Sequence, residues 1–407
     1  MLTLTYDNIE KRRYRVEQVS VLLVGVGGYG GTMVHEIIEN PSPKIKLAGV
    51  VDPYPERCTY IEALRNMDIP ICASMEEFYK DNSAHLAVIS TPIFLHTKHI
   101  LSALENGSNV LCEKPLCSDE KDIDIILKAK EKAEKFVYIG YQWSFSDAIT
   151  NLKSDILAGK MGKLLEMRTI VLRPRNLEYF ARGVGWAGKI KTNDGSLVYD
   201  SVANNSAAHY NFNMLYVMGE DGFAAEPQDV SAELLRANNI ENFDVSKIQF
   251  TLNENAKCTF IAAHPVNKKI EPLFEYKFEN ASVYYSNQDN DEARKLLPKG
   301  YSEFGNIVAI YNDGRKTLYG NPNENACKKL HVAVDAILNG DMSDGPCGVE
   351  ATAVHTKMIN KIQKEFEIKD IKESVRRIED GLLYADGLFE KSVECYLDLS
   401  ETFSDFV

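Results

Sequence analysis

Two clusters of residues in this chain have the types and spacing for chemistry. The first is the run VLLVGVGGYGGT, residues 21–32, in which an apolar stretch breaks into Gly25, Gly27, Gly28, Gly30 and Gly31 around Tyr29. Gly25, Gly27 and Gly30 fit GxGxxG. In that pattern the first glycine makes the turn, the second lets a diphosphate approach the backbone, and the third lets the following helix meet the strand. The anion implied is a pyrophosphate, attracted by the helix dipole with ~0.3–1 kcal/mol and by directed backbone amides. The next apolar run, LAGVVD, ends in Asp52, where a carboxylate accepts hydrogen bonds from adenosine ribose hydroxyls. Facing a 2'-phosphate it would cost on the order of several kcal/mol in like-charge repulsion, so NAD is expected in preference to NADP.

The second cluster is acid–base. Lys114, between Glu113 and Pro115, follows the apolar run NVLC, and a lysine there can hydrogen-bond a substrate hydroxyl and help it lose its proton. Further on, DSVANNSAAHYNFNMLYVMG sets Asn205, His209 and Asn213 four residues apart, which puts them on one face if 203–218 is a single helix.

The elements that would position these residues follow from periodicity. From residue 20 to about 145, continuous apolar runs (VLLVGV, KLAGVVD, IPICA, LAVIST, NVLCEKP, KFVYIGY) alternate with helical stretches, among them one from Pro55, one from about residue 93, and Ser118 to Ala133 with Ser118 as N-cap before Asp119 and Glu120. Fully apolar strands alternating with helices imply a doubly wound parallel sheet. Ser90-Thr91-Pro92, Glu113-Lys114-Pro115 and Tyr141-Gln142-Trp143 all fall at the carboxyl ends of those strands, where open parallel sheets bind ligands. Beyond residue 150 the runs lengthen and alternate: LLEMRTIVLRPR, KIQFTLNENAKCTFIAA, LFEYKFENASVYYS, and NIVAIYNDGRKTLYG with Asp313-Gly314 at a hairpin turn. These predict a mainly antiparallel sheet, with helices 203–218 and 325–338 on one face and helices from 348 onward ending the chain. The expected domains are 1–145, an N-terminal arm and nucleotide domain, and 146–407, a substrate and assembly domain.

Composition narrows the partners. The 407 residues carry a formal charge of −13, with 44% apolar and 26% charged residues, ordinary for a folded protein of two domains. The one dense basic run, Lys11-Arg12-Arg13-Tyr14-Arg15, is too short for a phosphate-neutralising surface, so nucleic acid is not expected as a partner. No apolar window approaches the roughly 18 residues of a membrane span, and the N-terminus lacks the apolar core of a secretory signal, so no membrane association and a cytoplasmic location are expected. The eight cysteines show no CxxC spacing, and no metal site is expected.

The combination GVGGYG, VVDPYPER, STPIFLH, CEKPL and the later histidine stretch resembles the Gfo/Idh/MocA family, the glucose-fructose oxidoreductase and inositol dehydrogenase superfamily, over nearly the whole chain and in the same motif order. The resemblance implies an N-terminal Rossmann domain, a C-terminal α/β domain with an open antiparallel sheet, NAD(P)-dependent oxidation of a sugar or cyclitol alcohol, and a homo-oligomer. By motif match, Lys114 corresponds to the family's active-site lysine and His209 to its histidine. Thr91, Pro92, His96, Glu113 and Gln142 correspond to positions that usually touch the cofactor. The stretches LRPRNLEYFARGVGWAGK and YDSVANNSAAHYNFNM make Arg175, Trp186 and Asn213 candidates for substrate contact, with Tyr141 and Asn205 beside them. Two departures stand out: Ile93 replaces a common asparagine, and Asn205 replaces the aspartate common four residues before the histidine, with Asp200 the nearest acid that could stand in. The family also contains members that oxidise and re-reduce a sugar within one cycle, cleaving a glycosidic bond between the steps, and regulators that sense nucleotide or sugar without turnover.

Overall fold

A computed structural model describes residues 17–182, 185–253 and 255–407; the basic run 11–15 lies outside the described residues. The chain divides into two compact units. The first holds residues up to Cys117, Lys121–Phe145 and Asn325–Val349; the second holds Ser118–Glu120, Ser146–Glu324 and Glu350–Val407.

The first unit is a parallel sheet of β1 (Val19–Val24), β2 (Ile45–Val51), β3 (Ile71–Cys72), β4 (Leu86–Ile89), β5 (Asn109–Cys112) and β6 (Val137–Ile139), in the order β3-β2-β1-β4-β5-β6. This is the doubly wound order whose switch point lies between β1 and β4. β4, β5 and β6 are buried at every residue, which is why they read as unbroken apolar runs. Between the strands run α1 (Gly30–Glu39), α2 (Met75–Asp81), α3 (His96–Glu105) and α4 (Asp122–Ala133).

Three local expectations are corrected. The helix expected from Pro55 is a single tight turn, Pro55–Arg57, before a short helix at Ile61–Arg65. α2 fills a stretch with no predicted helix; its N-cap Ser74 accepts from the Glu77 amide at 3.2 Å. Ser118 does not cap α4, which starts at Asp122 with Asp122 and Asp124 in its first turn. The backbone at 118–120 is taken up instead by Asn360, which donates to Ser118 O (2.9 Å) and accepts from the Glu120 amide (3.3 Å).

The second unit is built on a nine-stranded sheet, mostly antiparallel. In chain order its strands are β7 (Leu164–Leu172), β8 (Gln228–Arg236), β9 (Val245–Leu252), β10 (Ala256–Ala263), β11 (Ile270–Phe278), β12 (Ala281–Ser286), β13 (Ile307–Tyr311), β14 (Lys316–Gly320) and β15 (Ile368–Asp370). They lie in the order β14-β13-β12-β11-β7-β10-β9-β8-β15, with β7–β10 and β8–β15 the parallel pairs. The β13–β14 hairpin turns at Asp313-Gly314 as expected, Gly314 having φ +87°. Alternate residues of β7 serve opposite faces. Ile170 and Leu172 join a core with Leu388, Phe389 and Tyr396 of α9 (Leu388–Leu397), while the Thr169 hydroxyl lies 3.5 Å from that of Tyr276 on the face reached by α6 (Ala208–Tyr216). α5 (Asp147–Leu157), α8 (Val349–Glu365) and short helices at Leu177–Ala181 and Asp291–Arg294 also belong to this unit.

The end of the chain holds more than helices: β15 adds an edge strand and β16 (Arg376–Glu379) pairs with β17 (Leu382–Ala385). The stretch 325–338 does form a helix, α7 (Lys328–Asn339), but it packs on β1, β4 and β5 of the parallel sheet and not on the antiparallel one. Its stripe of Leu330, Ala333, Val334 and Ile337 is buried there with Lys329. The eight cysteines are all buried free thiols. No helix among the described residues is long and apolar enough to cross a membrane.

Candidate active-site elements

In the first unit the glycine loop is built by close approach. Gly25 has φ +81°, and a Cβ on Gly30 would lie 2.1 Å from the Gly25 carbonyl oxygen, so neither position admits a side chain. A Cβ on Gly28 would meet nothing within 4 Å. α1 starts at Gly30 with no acidic residue in its first turn and no side-chain cap. An open loop leading into an acid-free helix N-terminus fits a bound pyrophosphate. Asp52, at the end of β2, accepts from the Val26 amide (2.9 Å) with one oxygen and from the Tyr54 amide (2.8 Å) with the other. Its carboxylate therefore holds the glycine loop in place, a role not visible in the sequence.

The ends of β4, β5 and β6 carry the three motifs. Thr91 and His99 share a hydrogen bond of 3.0 Å, and burial pushes the His99 pKa down to about 4. His96, expected to touch the cofactor, is instead 1% exposed, with Nδ1 2.7 Å from Pro115 O and Nε2 2.9 Å from Thr91 O. It braces the Thr91 and Pro115 loops from behind, and burial pushes its pKa down. Tyr141 is 1% exposed, so its ring belongs to the core and not to a substrate surface. Lys114 is half-buried at the end of β5.

Glu113 leads to a residue that sequence reasoning missed. Its carboxylate pairs with the ammonium of Lys329 on α7, whose side chain is fully shielded from solvent. A Cβ on Gly140 would come within 3.0 Å of that carboxylate, so the glycine after β6 makes its room. Lys329 Nζ also lies 3.4 Å from the Gly140 carbonyl and 3.4 Å from the Tyr29 hydroxyl, which in turn stands 3.4 Å from Gln142 Oε1. Burial alone would lower the Lys329 pKa, but Glu113 and Tyr29 more than reverse this and raise it. Tyr29 is raised by burial and by the Glu113 charge, partly offset by Lys329. Three of the five groups, Tyr29, Glu113 and Gln142, are expected cofactor-edge residues; Gly140 and Lys329 were not expected, and Lys329 ties the group together.

In the second unit the expected continuous helix at 203–218 is broken. Val202–Ser206 forms a π-helical turn and Ala207 leaves helical geometry (φ −112°, ψ 11°) before α6 begins. A π turn changes the residue spacing, so the single polar face does not form. Asn213 is 2% exposed and donates to the Tyr276 hydroxyl at 3.1 Å, inside the unit, while Asn205 donates to Asp200 Oδ1 at 2.7 Å. His209, half-buried, stands in the first turn of α6. Asp200, 4% exposed, also accepts from the Gly188 amide at 2.6 Å and lies 3.9 Å from Arg182. The acid missing from position 205 is thus present one hydrogen bond away.

The chain after β7 brings together Arg173, Arg175, Tyr179, Arg182 and Trp186. The Arg182 and Arg175 guanidiniums lie 3.5 Å and 4.5 Å from the Tyr179 ring centroid, and Arg182 lies 5.3 Å from that of Trp186. Arg173 donates to Glu271 (2.5 Å) and to the Tyr210 hydroxyl (3.3 Å).

Residues 19–141 match the Gfo/Idh/MocA family, described as "Oxidoreductase family, NAD-binding Rossmann fold". Residues 19–141 therefore carry this family's NAD-binding domain. Among curated relatives, the inositol 2-dehydrogenase 1 of Mycolicibacterium vanbaalenii is 27% identical over 160 residues, 39% of this chain and 46% of that protein. The 2,7-anhydro-N-acetylneuraminate hydratase of Mediterraneibacter gnavus is 25% identical over 150 residues, 37% and 38% of the two chains. This chain thus spans less than half the length of these curated relatives. The WlbA dehydrogenase of Bordetella pertussis, solved with NADH and UDP-GlcNAcA, superposes with TM-score 0.66 at 17% identity over 85% of this chain and 96% of that one. The aldose-aldose oxidoreductase of Caulobacter crescentus gives TM-score 0.66 at 17% identity over 85% and 97%. At that identity the likeness is one of fold.

Proposed function

We propose that this chain is a Gfo/Idh/MocA-type, NAD-dependent oxidoreductase that moves a hydride between a secondary alcohol of a sugar, glycoside or cyclitol and nicotinamide. The observation that carries the reading is the glycine loop of residues 25–30, open at Gly28 and leading into an acid-free helix N-terminus, with Asp52 beside it and Lys114 at the end of β5. The nicotinamide supplies the hydride acceptor when bound. The chain holds the pyrophosphate at residues 25–30, and Asp52 offers its remaining lone pairs to the ribose, which favours NAD over NADP. Lys114 polarises the substrate hydroxyl and His209 takes its proton, roles assigned by the family motifs. Inositol and aldose enzymes among the relatives and structural neighbours support a polyol or sugar as substrate.

The test is NADH formation, followed by absorbance, when the protein meets NAD and a panel of sugars, cyclitols and glycosides, with Lys114→Ala as control. NADH formation lost in the variant supports the reading; NAD binding absent by calorimetry would end it. One relative is named a hydratase, a reaction without net redox change, and this favours a second reading in which the sugar is oxidised and re-reduced within one cycle. Cleaved substrate without accumulated NADH in the same assay would select it.

A further inference from the structure

We propose that the second unit binds a substrate carrying an oxyanion, a carboxylate or a phosphate, and that Arg175, with Arg182 beside it, holds that group. The inference rests on the oxidoreductase reading above and narrows its substrate class.

Arg173, Arg175 and Arg182, with Lys269, face two carboxylates, Glu271 and Asp200. Glu271 is committed to Arg173 and Lys269. Asp200 is committed to the Gly188 amide, to Asn205 and, more loosely, to Arg182. Among the described residues Arg175 lies against the Tyr179 ring, feels Glu271 only as a more distant charge, and has an Nε shielded from solvent with no acceptor. Burial lowers its pKa, Tyr179 and Glu271 partly offset this, and Arg173 and Arg182 add to the lowering. His264, against Tyr179 and 2.9 Å from the Arg173 carbonyl, is pushed down to about 3 by burial and adds no further positive charge to the cluster.

A half-buried guanidinium without an ion-paired carboxylate, in a chain whose net charge is −13, is an unfavourable arrangement that a bound oxyanion would relieve. Guanidinium donors form a planar fork that matches carboxylate and phosphate oxygens. Cation–π contact with Tyr179 restrains both guanidiniums, so less side-chain freedom remains to be lost on binding. Trp186, half-buried next to Arg182, offers an aromatic face to a sugar ring carrying the charge. A purely structural network would pair Arg175 with a carboxylate, as it pairs Arg173.

The test compares D-glucose, D-glucuronate and D-glucose 6-phosphate, whose shared skeleton isolates the charge. Binding is read by tryptophan fluorescence in the wild type, Arg175→Ala and Arg175→Lys, with NAD binding measured separately by calorimetry. The expected result is that one anion binds on the order of 10–100-fold more tightly than glucose. That preference should vanish in Arg175→Ala and return in part in Arg175→Lys. Which anion shows it separates carboxylate from phosphate. Equal or weaker binding of both anions than of glucose, or a preference that survives Arg175→Ala, overturns the proposal. Anion preference without NAD binding would instead overturn the oxidoreductase reading and leave the oxyanion site standing.

Discussion

Removing the Lys329 ammonium should uncouple the helix α7 from the sheet edge it braces. In Lys329→Met the chain length is kept but the Glu113 carboxylate loses its partner. Neither group can turn to water, the Lys329 side chain being 0% exposed and that of Glu113 12%. Breaking one side of a buried pair costs about 3–5 kcal/mol, because the remaining charge stays desolvated. For a unit of 150–250 residues that corresponds to a melting shift of about 6–20 °C. Exposed pairs are worth about 0–1 kcal/mol, so Lys44→Met, which breaks the pair with Asp335 whose side chains are 55% and 48% exposed, is the internal control. The measurement is urea unfolding in a Trp186→Phe background, which leaves Trp143, 1% exposed in the same unit, as the reporter. Adding Glu113→Gln to Lys329→Met removes the stranded charge and should recover most of the loss. The Lys329 pKa is raised in the fold, so its contribution is complete below the ordinary lysine value of about 10.4 and is lost only as pH rises through the higher folded value. The gap between wild type and variant should therefore be constant from pH 7 to 9. A loss no larger than that of Lys44→Met, or a double variant no more stable than Lys329→Met, would refute the reasoning.

Four further outcomes follow from the same geometry. His209→Ala should cut turnover by ~100–10,000-fold, the worth of a general base, with the NAD dissociation constant unchanged by calorimetry; unaltered turnover removes His209 from the mechanism. Gly30→Ala places a methyl 2.1 Å from the Gly25 carbonyl, and should abolish NAD binding or the folded first unit, read by calorimetry and circular dichroism together. Asp52→Asn should narrow the ratio of NAD to NADP affinity by at least about tenfold, since it removes a like-charge penalty on the order of several kcal/mol; an unchanged ratio denies Asp52 that role. Asn205→Asp sets two carboxylates at hydrogen-bond distance, which raises the pKa of one of them in the fold. Its melting temperature should match wild type near pH 4 and fall behind as pH rises, and a gap that does not grow with pH contradicts the placement of Asp200.

Much of the first unit was legible because its signals are local. Unbroken apolar runs marked β4, β5 and β6, and the glycine spacing of 25, 27 and 30 marked the turn between β1 and α1, since each depends on neighbours a few residues away. What escaped was set by distant chain. α7 carries an ordinary amphipathic stripe that fits either sheet, and only the pairing of Lys329 with Glu113, 216 residues apart, shows that it belongs to the parallel one. Ser118 has a capping residue's identity, but Asn360 claims the backbone beside it and α4 begins four residues later. His96 has a ligand's identity and is a strut, because both its nitrogens face carbonyls that only the folded loops bring together.

The same separation explains the one apparent defect in the site. Read along the sequence, Asn205 lacks the charge that a histidine partner would supply. In the fold a π turn between Val202 and Ser206 turns Asn205 toward Asp200, and the carboxylate is displaced by one hydrogen bond, not lost. An amide in that position donates to the acid without carrying charge itself. The carboxylate remains paired with Arg182, which leaves Arg175 as the guanidinium in that cluster without a carboxylate of its own. The substitution at 205 and the unbalanced charge at 175 are then two consequences of one arrangement, centred on where Asp200 is committed.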